Sequence, residues 1–416
     1  MMRKGIEMVT PTAEDESLQS EVSTPLIIAT ILREKGITGV HTHFRQLYRY
    51  LKDKGRPADL VTPFSWGRPL IKPVFGVRYF LERCSGPANV WWYRHWHEVF
   101  LQQALRRRLA AADDCVIYAQ CPLAARAALR ARRGRHQRVV MAVHLRISQA
   151  DEWADKGQIS RSGRTFRAIR GLERKVIPQV DGLVYVSRWA QEALTGWLPE
   201  AAAVPSAIVD NFVAPLERVP RPQPMGDLVT IGNLESVKNH RYLLQILAEA
   251  KQAGFAYTLD IFGEGLLKQE LEQQTRSLGL QELVRLRGFR TDVRDLLPGY
   301  RAYVHASYSE SSSFAIIEAM AAGLPIVAGD MGPLSELFDE GVEGRFWALD
   351  DPAQAAKVLV GLMEDESDLS IAAAASLARF RRDFDAEVIA PRLLSFVMDA
   401  DGAPTTSRSG PERVRS

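Results

Sequence analysis

Short apolar runs rich in β-forming residues alternate with helical patterns along most of this chain, and no other feature restricts its fold so strongly. The first half holds LIIATI (26–31), ADLVTPF (58–64), CVIYAQ (115–120), RVVMAVH (138–144), GLVYVS (182–187) and AIVDNF (207–212). The second half holds LVTIG (228–232), TLDIFG (258–263), LVRLRG (283–288), AYVHAS (302–307) and PIVAG (325–329). Strands separated by helices assemble as βαβ units into parallel sheets. Between the two sets, VAPLERVPRPQPMGD (213–227) carries four prolines and reads as a stiff linker. The pattern predicts an α/β protein of two doubly wound, Rossmann-like domains, 25–212 and 228–385, facing across a cleft. A C-terminal helix over 386–401 is a candidate to cross back to the N-terminal domain. The polar ends, 1–24 and 402–416, are expected to be disordered. Ligands of open α/β sheets sit beyond the carboxyl ends of the strands, so the cleft is the expected active site.

Composition excludes several classes. The 416 residues are 46% apolar and 25% charged, as in a soluble globular protein with room for two cores. A net charge of +3 gives no reason to expect nucleic acid. Cys84, Cys115 and Cys121 have neither metal-ligand spacing nor a disulfide framework, which fits a reducing cytoplasm. No apolar run reaches the ~20 residues of a membrane span. The polar N-terminal segment lacks the core of a signal peptide.

One carboxylate stands out. In SSSFAIIEAMAAG (311–323), every residue from Phe314 to Ala322 is apolar except Glu318. Serines open this short helix, Gly323 closes it and Pro325 follows. A buried, unpaired carboxylate costs several kcal/mol, so Glu318 needs a donor from the protein or from a ligand. The strand AYVHAS ends just upstream, so the helix N-terminus lies at a strand's carboxyl edge, a natural anion site. Ser312 and Ser313 are small enough to let backbone N–H groups approach a phosphate. Glu318 can accept hydrogen bonds from a sugar diol, as acidic residues do in dinucleotide-binding folds.

Glu310 and Glu318, separated by seven residues and followed by EAMAAGLPIVAGDMGPLSEL, resemble the E-x7-E signature of family 4 of the retaining GT-B glycosyltransferases. The resemblance spans about residues 26 to 400. It implies that Glu318 holds the ribose of a nucleoside diphosphate sugar, UDP- or GDP-linked, and that Glu310 faces the transferred sugar and the reaction centre. The usual Gly-Phe-Gly between them is Ser311-Ser312-Ser313 followed by Phe314. TIGNLESVKNHRYLL (230–244) resembles the segment that opens the donor domain. Lys238 there matches the lysine that neutralises the diphosphate, while Asn233 stands where the family has an arginine. Gly39 matches the glycine whose backbone approaches the donor phosphates. His144, ending its strand, matches a histidine that contacts the transferred sugar; Leu145 follows where an acid is usual. Backbone at Gly288 and Phe289 matches a nucleobase loop. His41 and His43 read as surface or hinge residues.

The reading is therefore a retaining, metal-independent hexosyltransferase that needs no cofactor beyond its sugar-nucleotide donor. The implied setting is polysaccharide, glycolipid or glycosylated natural-product biosynthesis in the cytoplasm. A GT-B sugar-nucleotide epimerase and a non-catalytic nucleotide-sugar binder are the alternatives. Arg161, Arg164, Arg167, Arg170 and Arg174 recur every three or four residues, so they share one side of a helix. A solvated face is the first reading, and contact with anionic lipid or a phosphorylated acceptor the second. The tryptophans of NVWWYRHWHEVF (89–100) are expected mostly in the core.

Overall fold

The computed structural model describes residues 24–399, apart from 37, 68–70, 145–146 and 217–223. Both expected disordered ends, Leu145 and the middle of the proline-rich linker lie outside those residues, save for Thr24. Among the described residues the strands form two six-stranded parallel sheets.

The first sheet takes β1 (Leu26–Ala29), β2 (Ala58–Val61), β3 (Cys115–Ala119), β4 (Gln137–Val143), β5 (Gly182–Tyr185) and β6 (Ser206–Ile208), in the order β2-β1-β3-β4-β5-β6. Side chains alternate across a strand, and here both faces are covered. Ile27, Ile117, Val139 and Leu183 enter one core. Their neighbours Ile28, Val116, Val140 and Val184 enter another. This is why these strands read as continuous apolar runs. Helices cover both faces.

The second sheet takes β7 (Leu228–Ile231), β8 (Leu259–Phe262), β9 (Val284–Gly288), β10 (Ala302–His305), β11 (Ile326–Gly329) and β12 (Gly344–Trp347), in the order β12-β11-β10-β7-β8-β9. β12 was not visible in the sequence. Its four residues, GRFW, are buried only at the two ends, because it is an edge strand with one paired side.

The chain then returns to its first half. The helix Ala386–Met398 places Ile389, Leu393, Phe396 and Val397 in the same core as β1, β3 and β4. Val213 and Asp385 run side by side where the chain crosses between domains: Val213 N–H donates to the Phe384 carbonyl at 3.1 Å, and Ala386 N–H to the Val213 carbonyl at 3.0 Å. An ion pair of 2.7 Å between Lys54 and Glu387 lies beside this junction.

Two expectations about side chains fail. The helix Gly86–Leu109 packs Leu101, Leu105 and Leu109 into the core, while Trp91 on its outer side is 58% exposed and Trp92 and Trp96 are only half-buried. His41 and His43 are not surface residues but buried ones.

Leu393 is fully buried in the returning helix. Leu393→Ala is expected to destabilise the protein by about 2–5 kcal/mol, measured by chemical denaturation.

Candidate active site

The strand order of the second sheet reverses between β10 and β7. Such a reversal opens a crevice at the carboxyl edge, and the loops leaving β7 and β10 carry Lys238 and Glu310. Lys238 Nζ donates to Glu310 Oε1 at 2.5 Å. His305, the last residue of β10, brings Nε2 to 3.2 Å from the same oxygen. The Tyr308 N–H and the Ser307 hydroxyl donate to the Val237 carbonyl at 2.9 and 3.0 Å, fastening the two loops together. Burial opposes ionisation of Glu310, but Lys238 and His305 outweigh it and hold the carboxyl at about 2. Burial keeps His305 neutral by lowering its pKa. Lys238 has three N–H donors, and Glu310 takes one. Glu310 Oε2 accepts no hydrogen bond among the described residues, so the pair keeps both donors and acceptors for a ligand.

The next loop depends on a glycine. Gly263 adopts φ +151°, and a Cβ there would lie 1.9 Å from the Gly232 carbonyl oxygen. The loops after β7 and β8 can pack backbone to backbone only without that side chain.

The helix Phe314–Ala321 follows β10. Ser313 precedes it, but its side chain makes no capping bond, and the Ser312 hydroxyl is buried with no partner among the described residues. Glu318 lies on the second turn, its side chain 17% exposed. Arg294, which the sequence reading did not single out, brings Nε to 3.9 Å from Glu318 Oε1. That is an ion pair without a hydrogen bond. Arg294 Nη2 donates to the Ala214 carbonyl at 2.5 Å, while its buried Nε has no hydrogen-bond partner among the described residues. Burial raises the Glu318 carboxyl to about 7 against the opposing charge of Arg294.

The N-terminal domain meets this loop directly. The Ser311 hydroxyl donates to the His144 carbonyl at 2.9 Å, and the Ser187 hydroxyl to the Ser311 carbonyl at 2.8 Å. Gly39 opens the helix Gly39–Asp53, and a Cβ on it would touch the Phe314 ring at 3.4 Å. Two helix N-termini thus face each other across the cleft. Glu336 accepts the Arg188 and Trp189 N–H groups, both at 2.7 Å, adding a second bridge.

His144 follows β4. Its Nε2 lies 3.1 Å from Gln120 Oε1, a carbonyl, so Nε2 carries the proton. The His43 ring packs edge-on against it, 4.5 Å between centroids. His43 donates from Nδ1 to Asn211 Oδ1 at 3.0 Å and accepts at Nε2 from Tyr118 at 3.1 Å. Burial lowers both histidines, His43 to about 4. The expected hinge histidine is therefore a neutral support behind His144.

A cavity of about 390 Å³ extends from His144 into the N-terminal domain. Thr30 and Ile31 after β1 and Gln120 and Cys121 after β3 line its floor. β1 and β3 are where the first sheet reverses its order, so this cavity occupies the equivalent crevice of that domain.

Residues 226–365 match the family "Glycosyl transferases group 1", and residues 38–206 match "Glycosyl transferase 4-like domain". The chain belongs to family 4 of the GT-B glycosyltransferases. It is 27% identical over 235 residues to a glycogen synthase of Mycobacterium tuberculosis, covering 55% of this chain and 56% of that one. It is 29% identical over 147 residues to the GtfA subunit of a Streptococcus gordonii UDP-N-acetylglucosamine–peptide N-acetylglucosaminyltransferase, covering 35% of this chain and 28% of GtfA. These matches therefore span little more than half, or less, of the relatives' own length. The fold resembles that of Anabaena HepE, crystallised with UDP and glucose, at a TM-score of 0.63 and 19% identity over 89% of this chain and 98% of HepE.

Against the family pattern, the structure brings Gly39, His144, Lys238, Glu310, Ser312, Ser313, Phe314 and Glu318 to the facing edges of the two domains. Asn233 stays in its own loop, with Nδ2 3.4 Å from Glu235 Oε1. Gly288 ends the edge strand β9 and Phe289 follows it, 52% exposed. No hydrogen bond or ring contact ties Phe289 to Lys238 or Glu310 among the described residues.

The arginine face is smaller than its spacing suggests. Arg161 precedes the helix Arg164–Val176 and bonds Asp151 at 2.7 Å and also Asp155. Arg170 bonds Asp151 at 2.7 Å and lies 3.9 Å over the Trp197 ring. Arg164, Arg167 and Arg174 remain exposed. No described helix is long and apolar enough to cross a membrane.

Because folding raises the Glu318 carboxyl from its ordinary 4.5 to about 7, the folded state binds more protons than the unfolded one between those values. Stability from this group is then lost as pH rises through 7. Glu318→Gln removes the titration. The variant is expected to gain on wild type by on the order of 1–3 kcal/mol from pH 4 to pH 8, read from denaturation curves at each pH.

Proposed function

We propose that this protein transfers a hexosyl group from a nucleoside diphosphate sugar to an acceptor hydroxyl with retention of configuration. The observation that carries this reading is the Lys238–Glu310 pair, set at the sheet reversal and held within one loop of His144. Lys238, with two N–H donors beyond the one given to Glu310, offsets the charge that grows on the departing diphosphate. The N-termini of the helices Phe314–Ala321 and Gly39–Asp53 add backbone dipoles from both domains. Glu318 grips the ribose diol. Glu310 offers Oε2 to the transferred sugar, and neutral His144 lies beside its reacting carbon. The acceptor oxygen bonds the anomeric carbon on the face from which the diphosphate leaves; the bond from that carbon to the diphosphate oxygen breaks, and the hydroxyl proton passes to the departing diphosphate, so the anomeric configuration is kept. These protein cations and dipoles do the work of a metal ion.

UDP is the favoured carrier, because the GtfA relative is named for a UDP-sugar and HepE was crystallised with UDP and glucose. Contact with a membrane through Arg164, Arg167 and Arg174 is a secondary part of this proposal, resting on their shared exposure.

The test is incubation of the chain with UDP-sugars, with and without acceptor sugars. Transfer with an unchanged anomeric configuration, read by NMR, is expected. Isomerised donor would indicate an epimerase, and an untouched donor a binding protein. Lys238→Met is expected to lower kcat by about 10²-fold or more while the protein stays folded. A wild-type rate in that variant would remove Lys238 from the site.

A further inference from the structure

The cavity beside His144 is lined by a buried cation that no carboxylate of the described residues touches. Arg94, in the helix Gly86–Leu109, lines it and is only 7% exposed. Its Nη1 donates to Gln149 Oε1 at 2.6 Å, and its buried Nη2 has no hydrogen-bond partner among the described residues. No carboxylate lies within ion-pair distance of it among those residues. Glu173, buried nearby, gives Oε1 to the Gln149 N–H at 2.8 Å instead. Glu173 and, more weakly, Glu98 attract Arg94 through space, but neither caps Nη2, and a buried N–H without an acceptor is costly. An acceptor group beside Nη2 would relieve that cost.

Two further cations line the same cavity. Arg78 bonds the Asn89 amide oxygen at 3.3 Å and stacks 4.6 Å over Tyr93; Lys156 lies 5.7 Å over Trp153. Neither is ion-paired with a described residue. Glu82 and Glu152 are the carboxylates on the lining. Both are exposed to solvent, and the three cations outnumber them. Tyr93 and Trp153 meet edge-to-face, 5.6 Å between centroids, and present apolar ring surface in the same space. Aromatic faces, amides and a buried arginine together suit one kind of molecule: a sugar ring that carries an acid.

We infer that this cavity binds the acceptor and that the acceptor is a sugar bearing a carboxylate or phosphate group, which Arg94 receives. The inference rests on the transferase reading, which supplies the reacting centre next to His144. Gln149 fixes the guanidinium before the ligand arrives, so little side-chain entropy is lost on binding. Arg78 and Lys156 are positioned to add longer-range attraction.

Calorimetry on the full chain tests this with glucuronic acid, glucose 6-phosphate, glucose and inorganic phosphate, each titrated alone, with UDP titrated separately. At least one acidic sugar is expected to bind about 10- to 100-fold tighter than glucose. Which of the two binds tells carboxylate from phosphate. Arg94→Gln is expected to abolish that preference, with UDP affinity unchanged, and Lys156→Ala, at an exposed position, to weaken it several-fold. Equal binding of glucose and both acidic sugars, or none by any of them, overturns the inference, as does inorganic phosphate matching glucose 6-phosphate. These wild-type comparisons hold even if Arg94→Gln does not fold. UDP binding without acidic-sugar binding leaves the donor reading standing and sinks this one; acidic-sugar binding without UDP binding leaves an acidic-sugar site at Arg94 but overturns its role as an acceptor site together with the donor reading.

Discussion

The ion pair between Lys238 and Glu310 is the constraint around which the catalytic edge is organised. Its two members come from loops 72 residues apart in sequence, made neighbours because β7 and β10 lie side by side. Burial alone would neutralise Glu310; the ammonium and the buried imidazole of His305 reverse that balance. The negative charge is thereby kept at the sheet edge at neutral pH. The loop carrying it then reaches the other domain through Ser311, so the electrostatics of one sheet and the position of His144 in the other are mechanically connected.

Much of this was legible in the residues. Strands buried on both faces must be apolar at every position, and LIIATI or CVIYAQ shows that without further context. β12 escaped because an edge strand half in water needs only Gly344 and Trp347 inside. The tryptophans misled because aromatic content signals burial only on average, and the outer side of a long helix can hold several rings against one another. For the arginine face, periodicity located the side of the helix correctly from Arg164 onward. It could not show that Asp151, on a separate helix, neutralises Arg161 and Arg170.

In the candidate site, Glu318 announced itself because an acid in an apolar helix violates a rule. The identity of its neighbour did not, since Arg294 sits in an ordinary charged turn and meets Glu318 only through tertiary packing. His305 is hidden for a related reason: a histidine ending a strand carries no local signature of the carboxylate it will face. The cavity was the least readable feature. Its walls come from segments scattered between Thr30 and Gln158, and no single window of sequence contains enough of them to suggest an enclosed space.

The returning helix has a consequence for how the molecule comes into being. The sheet that begins at Leu26 has all its strands by Ile208, yet one of its two cores stays open until Ala386–Met398 arrives. During synthesis, then, the first domain emerges with the core of Val116, Val140 and Val184 closed by Phe44, Leu47 and Leu51 but not yet by Ile389, Leu393 and Phe396. It must wait, partly exposed to solvent and to chaperones, while the whole second domain is translated. The last part to mature is accordingly the half made first.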